Sequence, residues 1–97
     1  MKDCLLKHPH LFDMVRDESA RQLNKWGIQD RVPFEWLAYI HEESGELAKA
    51  ISEWTYRDGT PMEVVGEAIQ LATLSLKVAE MFLYQLNQEH GLLLSGQ

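Results

Sequence analysis

The chain has 97 residues, of which 45% are hydrophobic, and its 15 acidic against 9 basic side chains give a formal net charge of −6. That length fits one domain spanning residues 1–97, and the apolar content is that of a globular protein rather than a disordered one. The acidic balance argues against nucleic acid or an anionic membrane as the main partner, although a bound cation can reverse the field locally and admit a phosphorylated substrate. The single cysteine, Cys4, excludes an internal disulfide and fits a cytoplasmic setting. The opening MKDCLLKHPHLF lacks the apolar core of a secretory leader, and no apolar run reaches the length of a membrane span.

Residues 1–8 read as a lead-in. Cys4, His8 and His10 could suggest a soft-metal site, but no fourth ligand lies nearby, and such sites are normally closed four-ligand sets. A first helix is expected from about Pro9 to Trp26, with proline in its first turn and Gly27 as its C-terminal cap. Leu11, Met14, Val15, Ala20 and Leu23 give it a rough apolar stripe. Glu18, Arg21, Gln22 and Lys25 read as a solvated face. Trp26 at the helix end, with Lys25 beside it, can either plug the end of a bundle or stack on a flat ligand whose anion the lysine meets.

After a loop, Pro33 starts a second helix expected to run to about Tyr56, with Asp30 upstream as its cap and Gly59 just beyond its end. At about 100° per residue, Leu37, Ile40, Ser44, Leu47, Ala48 and Ile51 form one stripe, expected to face a core. Trp36, Tyr39, Glu43, Glu46 and Ala50 form the neighbouring stripe, which mixes rings with carboxylates like the wall of a cleft. Within HEESGELAKAI, Glu42, Glu43 and Glu46 lie three and four residues apart and share a helix face. Three carboxylates this close repel one another. They make sense either as solvated surface charges or as oxygen ligands around a cation such as Mg²⁺. Gly45 in mid-helix costs about 1 kcal/mol relative to alanine, and a close approach of a backbone or ligand would account for it.

Thr60-Pro61-Met62-Glu63 reads as a capping box, and a third helix is expected from about Pro61 to Glu89, ended by Gly91. Glu63, Glu67 and Gln70 place a second oxygen-rich step on it. Gly66 precedes Glu67 as Gly45 precedes Glu46, which predicts two helices crossing closely where the acids meet. Apolar residues cover most of this helix's circumference, leaving a narrow polar strip of Gln70, Thr73, Lys77 and Tyr84. A helix apolar nearly all round must be buried on most sides. Two other helices hardly suffice, so a partner subunit is expected. The tail from Gly91 to Gln97 reads as frayed, with Leu92 to Leu94 available to a partner. The fold class is therefore all-α, a bundle of three main helices per chain completed by oligomerisation.

Taken together, Glu42-Glu43-Ser44-Gly45-Glu46, the following Leu47-Ala48-Lys49-Ala50-Ile51, and Glu67-Ala68-Ile69-Gln70 on the next helix resemble the MazG-like, all-α nucleoside triphosphate pyrophosphohydrolases. That family carries Glu-Glu-x-x-Glu on one helix and Glu-x-x-Asp on the next. Glu18-x-x-Arg21-Gln22-x-x-Lys25-Trp26-Gly27-x-Gln29 is similar to the opening segment of small members, and the resemblance covers residues 18–76. It departs at Gln70, which stands where the family has aspartate and removes one negative charge.

The resemblance implies that Glu43, Glu46 and Glu67, with Gln70 as a weaker ligand, hold Mg²⁺ or Mn²⁺. It implies that water attacks a bound nucleoside triphosphate near the α-phosphate, releasing pyrophosphate and the monophosphate. Glu42 would orient or deprotonate that water; a salt bridge to Lys49 or plain solvation is its other reading. Trp26 and Trp36 would stack on the base, and Lys25, Arg21 or Lys49 would meet phosphate. The family's homodimers or homotetramers agree with the overly apolar third helix. The alternatives are a MazG-like module that binds nucleotide without turnover, which Gln70 motivates, and an unrelated helical adaptor. A di-iron bundle is set aside, because no histidine has a glutamate three residues before it.

Overall fold

Proline opens each helix of the computed structural model, which describes residues 1–90: α1 is Pro9–Trp26, α2 is Pro33–Tyr56 and α3 is Pro61–His90. Its fixed φ suits the first turn, and the N–H it lacks would find no helical partner there. All three helices fall where the sequence places them, α3 running one residue past Glu89. The expectations for Gly91 to Gln97 lie outside the described residues. Among the described residues there is no strand.

The caps follow local chemistry, with two differences from expectation. His8 is the N-cap of α1, its Nδ1 accepting from the His10 backbone N–H at 3.2 Å. Gly27 ends that helix at φ 70°, a left-handed conformation that favours glycine, and its N–H donates to the Leu23 carbonyl at 2.8 Å. For α2 the cap is Val32 rather than Asp30. Pro33 occupies the first helical position, so the cap must be its immediate neighbour, and Asp30 lies too far upstream. Valine has no side-chain acceptor; instead Glu35 reaches back and accepts from the Val32 N–H at 3.3 Å. At the start of α3 the expected pair forms: the Glu63 N–H donates to Thr60 Oγ1 at 3.2 Å, and that hydroxyl faces the Glu63 carboxylate at 3.3 Å. Between α2 and α3, Gly59 folds back so that its N–H donates to the Glu53 carbonyl at 3.1 Å. A Cβ there would stand 2.7 Å from the Trp54 backbone nitrogen, so the turn requires glycine.

α3 is the central element. It packs against α2 over a broad face and against α1 over a smaller one, while α1 and α2 do not pack on each other. The buried set is small: Trp36 and Ala50 on α2, and Ile69, Thr73 and Leu74 on α3. Thr73, only 1% exposed, satisfies its hydroxyl by donating to the Ile69 carbonyl at 2.8 Å. α1 has no fully buried residue.

Three expectations are corrected by this packing. On α2 the aromatic stripe of Trp36, Tyr39, Glu43 and Ala50 faces α3, whereas much of the Leu37–Ile51 stripe stays exposed, Leu37 at 41% and Ile51 at 45%. The burial of the mixed stripe is concentrated at its apolar ends, Trp36 and Ala50, while Glu46 of the same stripe is exposed. On α1, Glu18 and Gln22 are partly buried and belong with Leu11, Met14 and Val15 on the α3-facing side, while Leu23 is 47% exposed. An ion pair and an amide can occupy that side because they satisfy one another. Finally, Gly45 and Gly66 do not mark a close helix crossing, since a Cβ at either would meet nothing within 4 Å. Apolar surface also remains along the second half of α3, where Leu76 and Phe82 are each 54% exposed.

Candidate functional site

Because α1 and α2 flank α3 without close backbone approach to each other, a groove runs between them with α3 as its floor. Helical spacing delivers its middle section. Glu18, Arg21, Gln22 and Trp26 line up along one face of α1; Tyr39, Glu42 and Glu43 do so on α2; Gln70 and Leu74 come up from α3. The loop before α2 adds Gln29 and Arg31, and the enclosed volume is about 300 Å³. Toward the α2–α3 turn lies an acidic hollow of about 520 Å³, where Glu46, Lys49, Glu53, Glu63 and Glu67 gather and Gln70 is shared. In the other direction a hollow of about 220 Å³ shares Gln22, Trp26 and Gln29 with the middle and adds Trp36, Lys77 and Met81. The order along α3 is thus carboxylates, then mixed charge, then rings.

The electrostatics of the middle are unequal on its two walls. On α2, the Glu43 carboxyl is pushed above its usual range, first by burial and then by the charges of Glu67, Glu42, Glu46 and Glu18. The Oε2 atoms of Glu43 and Glu67 are both buried with no hydrogen-bond partner. On α1, Glu18 is held below its usual range by its hydrogen bonds with Arg21, although burial opposes this. The Arg21 guanidinium is stabilised in turn by Glu18, with a further contribution from the charge of Glu43. Cations also cover the rings: Lys25 Nζ is 4.7 Å and Arg21 Cζ 5.8 Å from the centroid of Trp26, and Arg31 Cζ is 5.6 Å from that of Tyr39.

The residues expected to act together are distributed along this groove rather than in one cavity. Glu43 and the exposed Glu42 line the middle, Glu46, Lys49 and Glu67 line the acidic hollow, and Gln70 belongs to both. Trp26 and Arg21 form the α1 wall of the middle, and Trp26 continues into the aromatic hollow. Lys25 packs on the Trp26 ring instead of lining the groove. Trp36 is buried, edge-on to Tyr39 with centroids 6.1 Å apart, and presents one side to the aromatic hollow.

Among the described residues no three histidine, cysteine or carboxylate side chains are gathered closely enough to hold a metal ion. The pair with unsatisfied buried oxygens, Glu43 and Glu67, nevertheless supplies hard anionic donors from two facing helices, the donor type that suits Mg²⁺ and Mn²⁺. Sequence reasoning missed Arg31 and Lys77 as groove residues and read Glu18 and Gln22 as solvent-facing, whereas Tyr39 lies on the stripe read as the wall of a cleft. Nothing local marks Lys77, whose partner is 55 residues away. Comparison with protein families, curated proteins and solved structures finds no match for this chain.

Proposed function

We propose that the groove is the active site of a MazG-like nucleoside triphosphate pyrophosphohydrolase. The observation that carries this reading is the pair of buried, partnerless carboxylate oxygens of Glu43 and Glu67, set on two helices beside Gln70. Leaving two buried carboxylate oxygens unsatisfied is costly unless something outside the chain completes them. The family resemblance, over residues 18–76, supplies the chemistry for that something.

In this reading Glu43 and Glu67 would hold Mg²⁺ or Mn²⁺, with Glu46 and Gln70 the further ligands that the resemblance implies, and the cation would neutralise the triphosphate and the charge that develops as the anhydride breaks. The chain's own groups do the rest. Glu42, exposed on the lip of the middle section, accepts a proton from the attacking water. Arg21 faces the triphosphate from the opposite wall and Lys49 from the acidic end. Trp26 offers its ring to the base, with Trp36 lining the same hollow, while Lys25 Nζ sits 4.7 Å from the Trp26 centroid. Water adds at the α-phosphorus, pyrophosphate leaves, and the nucleoside monophosphate remains. A homodimer or homotetramer, formed over the exposed Leu37–Ile51 stripe and the second half of α3, completes the bundle, and the protein acts in the cytoplasm.

A second reading, nucleotide binding without turnover, draws on Gln70 in place of a carboxylate and on the absence of a three-ligand cluster among the described residues. Hydrolysis in ¹⁸O-labelled water, followed by ³¹P NMR, separates the possibilities. Label in the monophosphate with unlabelled pyrophosphate is expected. Diphosphate with orthophosphate would overturn the assignment, and a bound but unchanged triphosphate would favour the second reading.

A further inference from the structure

A chain of hydrogen bonds joins the floor of the groove to its cationic wall. Lys77 Nζ on α3 donates to Gln22 Oε1 on α1 at 2.6 Å, and Gln22 Nε2 donates to Glu18 Oε2 at 2.8 Å. Arg21 then clamps the same carboxylate twice, through Nε to Oε1 at 2.9 Å and Nη2 to Oε2 at 2.7 Å. The direction of every link is fixed by chemistry. An ammonium only donates and a carboxylate only accepts, so the amide between them must turn its oxygen to Lys77 and its NH₂ to Glu18. Flipping Gln22 would break both bonds at once. The Glu18 side chain is 11% exposed, whereas that of Arg21 is 48% exposed, so the clamp has a sheltered base and an open end. Nη1 lies outside the clamp, on a side chain that lines the groove.

The backbone of α1 approaches α3 and not α2, so its packing against the bundle is chiefly with α3. We propose that Lys77, lying at the aromatic end of the groove, is a positioning residue that sets Arg21 for polyphosphate through Gln22 and Glu18. This rests on the reading of the groove as a triphosphate site. Lys77 touches Gln22, Gln22 and Arg21 share Glu18, and only Arg21 faces the anion. Shortening the chain at either of its first two links frees the carboxylate to turn, and the guanidinium turns with it.

Inorganic triphosphate with Mg²⁺ is the probe, because it has no base and therefore does not report on contacts in the aromatic hollow. Its Kd is measured by calorimetry for wild type, Arg21→Met, Lys77→Met and Gln22→Glu, alongside the ¹⁵N–¹H resonance of the Arg21 Nε–H group. Gln22→Glu keeps an acceptor for Lys77 but removes the donor to Glu18, and it carries the test if Lys77→Met does not fold. Arg21→Met is expected to weaken binding most. Lys77→Met and Gln22→Glu are expected to weaken it about fivefold, in line with losing one charge-assisted hydrogen bond at a remove, and to move the Nε–H signal and speed its exchange with water. If Arg21→Met weakens binding while the other two leave both readouts at wild-type values, the positioning role is overturned and the groove reading stands. If Arg21→Met also binds triphosphate as wild type does, the anion-facing role of this wall is wrong and the proposal falls with it.

Discussion

Replacing Glu43 by glutamine should make the protein more stable in the absence of metal and less stable in its presence. In the folded chain the Glu43 carboxyl is pushed upward by burial and by Glu67, Glu42, Glu46 and Glu18. A folded state that holds the proton more tightly than the unfolded chain gains stability from this group below the unfolded value of about 4.3. That stability is lost as the pH rises through the folded value. Above that folded value the wild type bears a charged, partly buried carboxylate with one partnerless oxygen, and burial and four neighbouring carboxylates disfavour that charge. An unsatisfied buried polar atom costs about 1–3 kcal/mol. Glutamine keeps a polar atom at that place but removes the charge that burial and the neighbouring carboxylates disfavour, so at this partly solvated site Glu43→Gln should gain about 1 kcal/mol, or about 4–8 °C in Tm for a domain of this size. A cation held by Glu43 and Glu67 inverts the order. At a free concentration a hundredfold above Kd it stabilises the wild type by about 2.7 kcal/mol, and the variant, one ligand charge short, gains far less. Thermal melts followed by circular dichroism, at one chain concentration, in chelator and in millimolar Mg²⁺, at neutral pH and below about pH 4.3, read all of this. The variant's advantage in chelator should fade at the acidic pH. A variant less stable than wild type in chelator would refute the argument from a disfavoured charge, and equal gains from Mg²⁺ in both proteins would refute Glu43 as a ligand.

Three further outcomes follow from the same geometry. Glu42→Gln should lower kcat by about 10²–10⁴ with little change in KM, because the side chain is exposed on the lip and accepts a proton rather than anchoring substrate; steady-state kinetics that instead show an unchanged kcat assign Glu42 to solvation. Trp26→Ala should weaken nucleotide binding by about 1–3 kcal/mol, the value of one base–aromatic stack, while leaving inorganic triphosphate affinity within about twofold. Calorimetry with both ligands checks this. Leu37→Glu combined with Phe82→Glu, at positions 41% and 54% exposed in the single chain, should shift the mass seen by light scattering from an oligomer to the 11.2 kDa monomer, and an unchanged oligomer would remove this face as the contact.

The helix boundaries were legible because proline and glycine punctuate this chain in the positions their backbones require: Pro9, Pro33 and Pro61 at helix starts, Gly27 and Gly59 after helix ends. The α2 cap was not, because Asp30 has the right chemistry but the wrong distance from Pro33. The orientation of α2 was only half legible. Periodicity finds both stripes but does not say which one α3 covers, and it is Trp36 and Ala50 of the mixed stripe that are buried. In the groove, Glu43, Glu67 and Gln70 were legible from spacing on two helices. Their division between a mixed-charge section and an acidic hollow depends on helix placement, which spacing within each helix does not encode. Glu18 and Gln22 looked like any charged helix face. Their partial burial becomes intelligible only with Lys77 opposite, a pairing across helices that local pattern cannot supply.

Pyrophosphate release from a panel of canonical and modified nucleoside and deoxynucleoside triphosphates, with and without Mg²⁺, beside a Glu43→Ala/Glu46→Ala control, tests the central claim most directly. Metal-dependent release from at least one triphosphate, abolished in the control, is the predicted result. No release from any of them by a folded, oligomeric sample would contradict the enzyme reading.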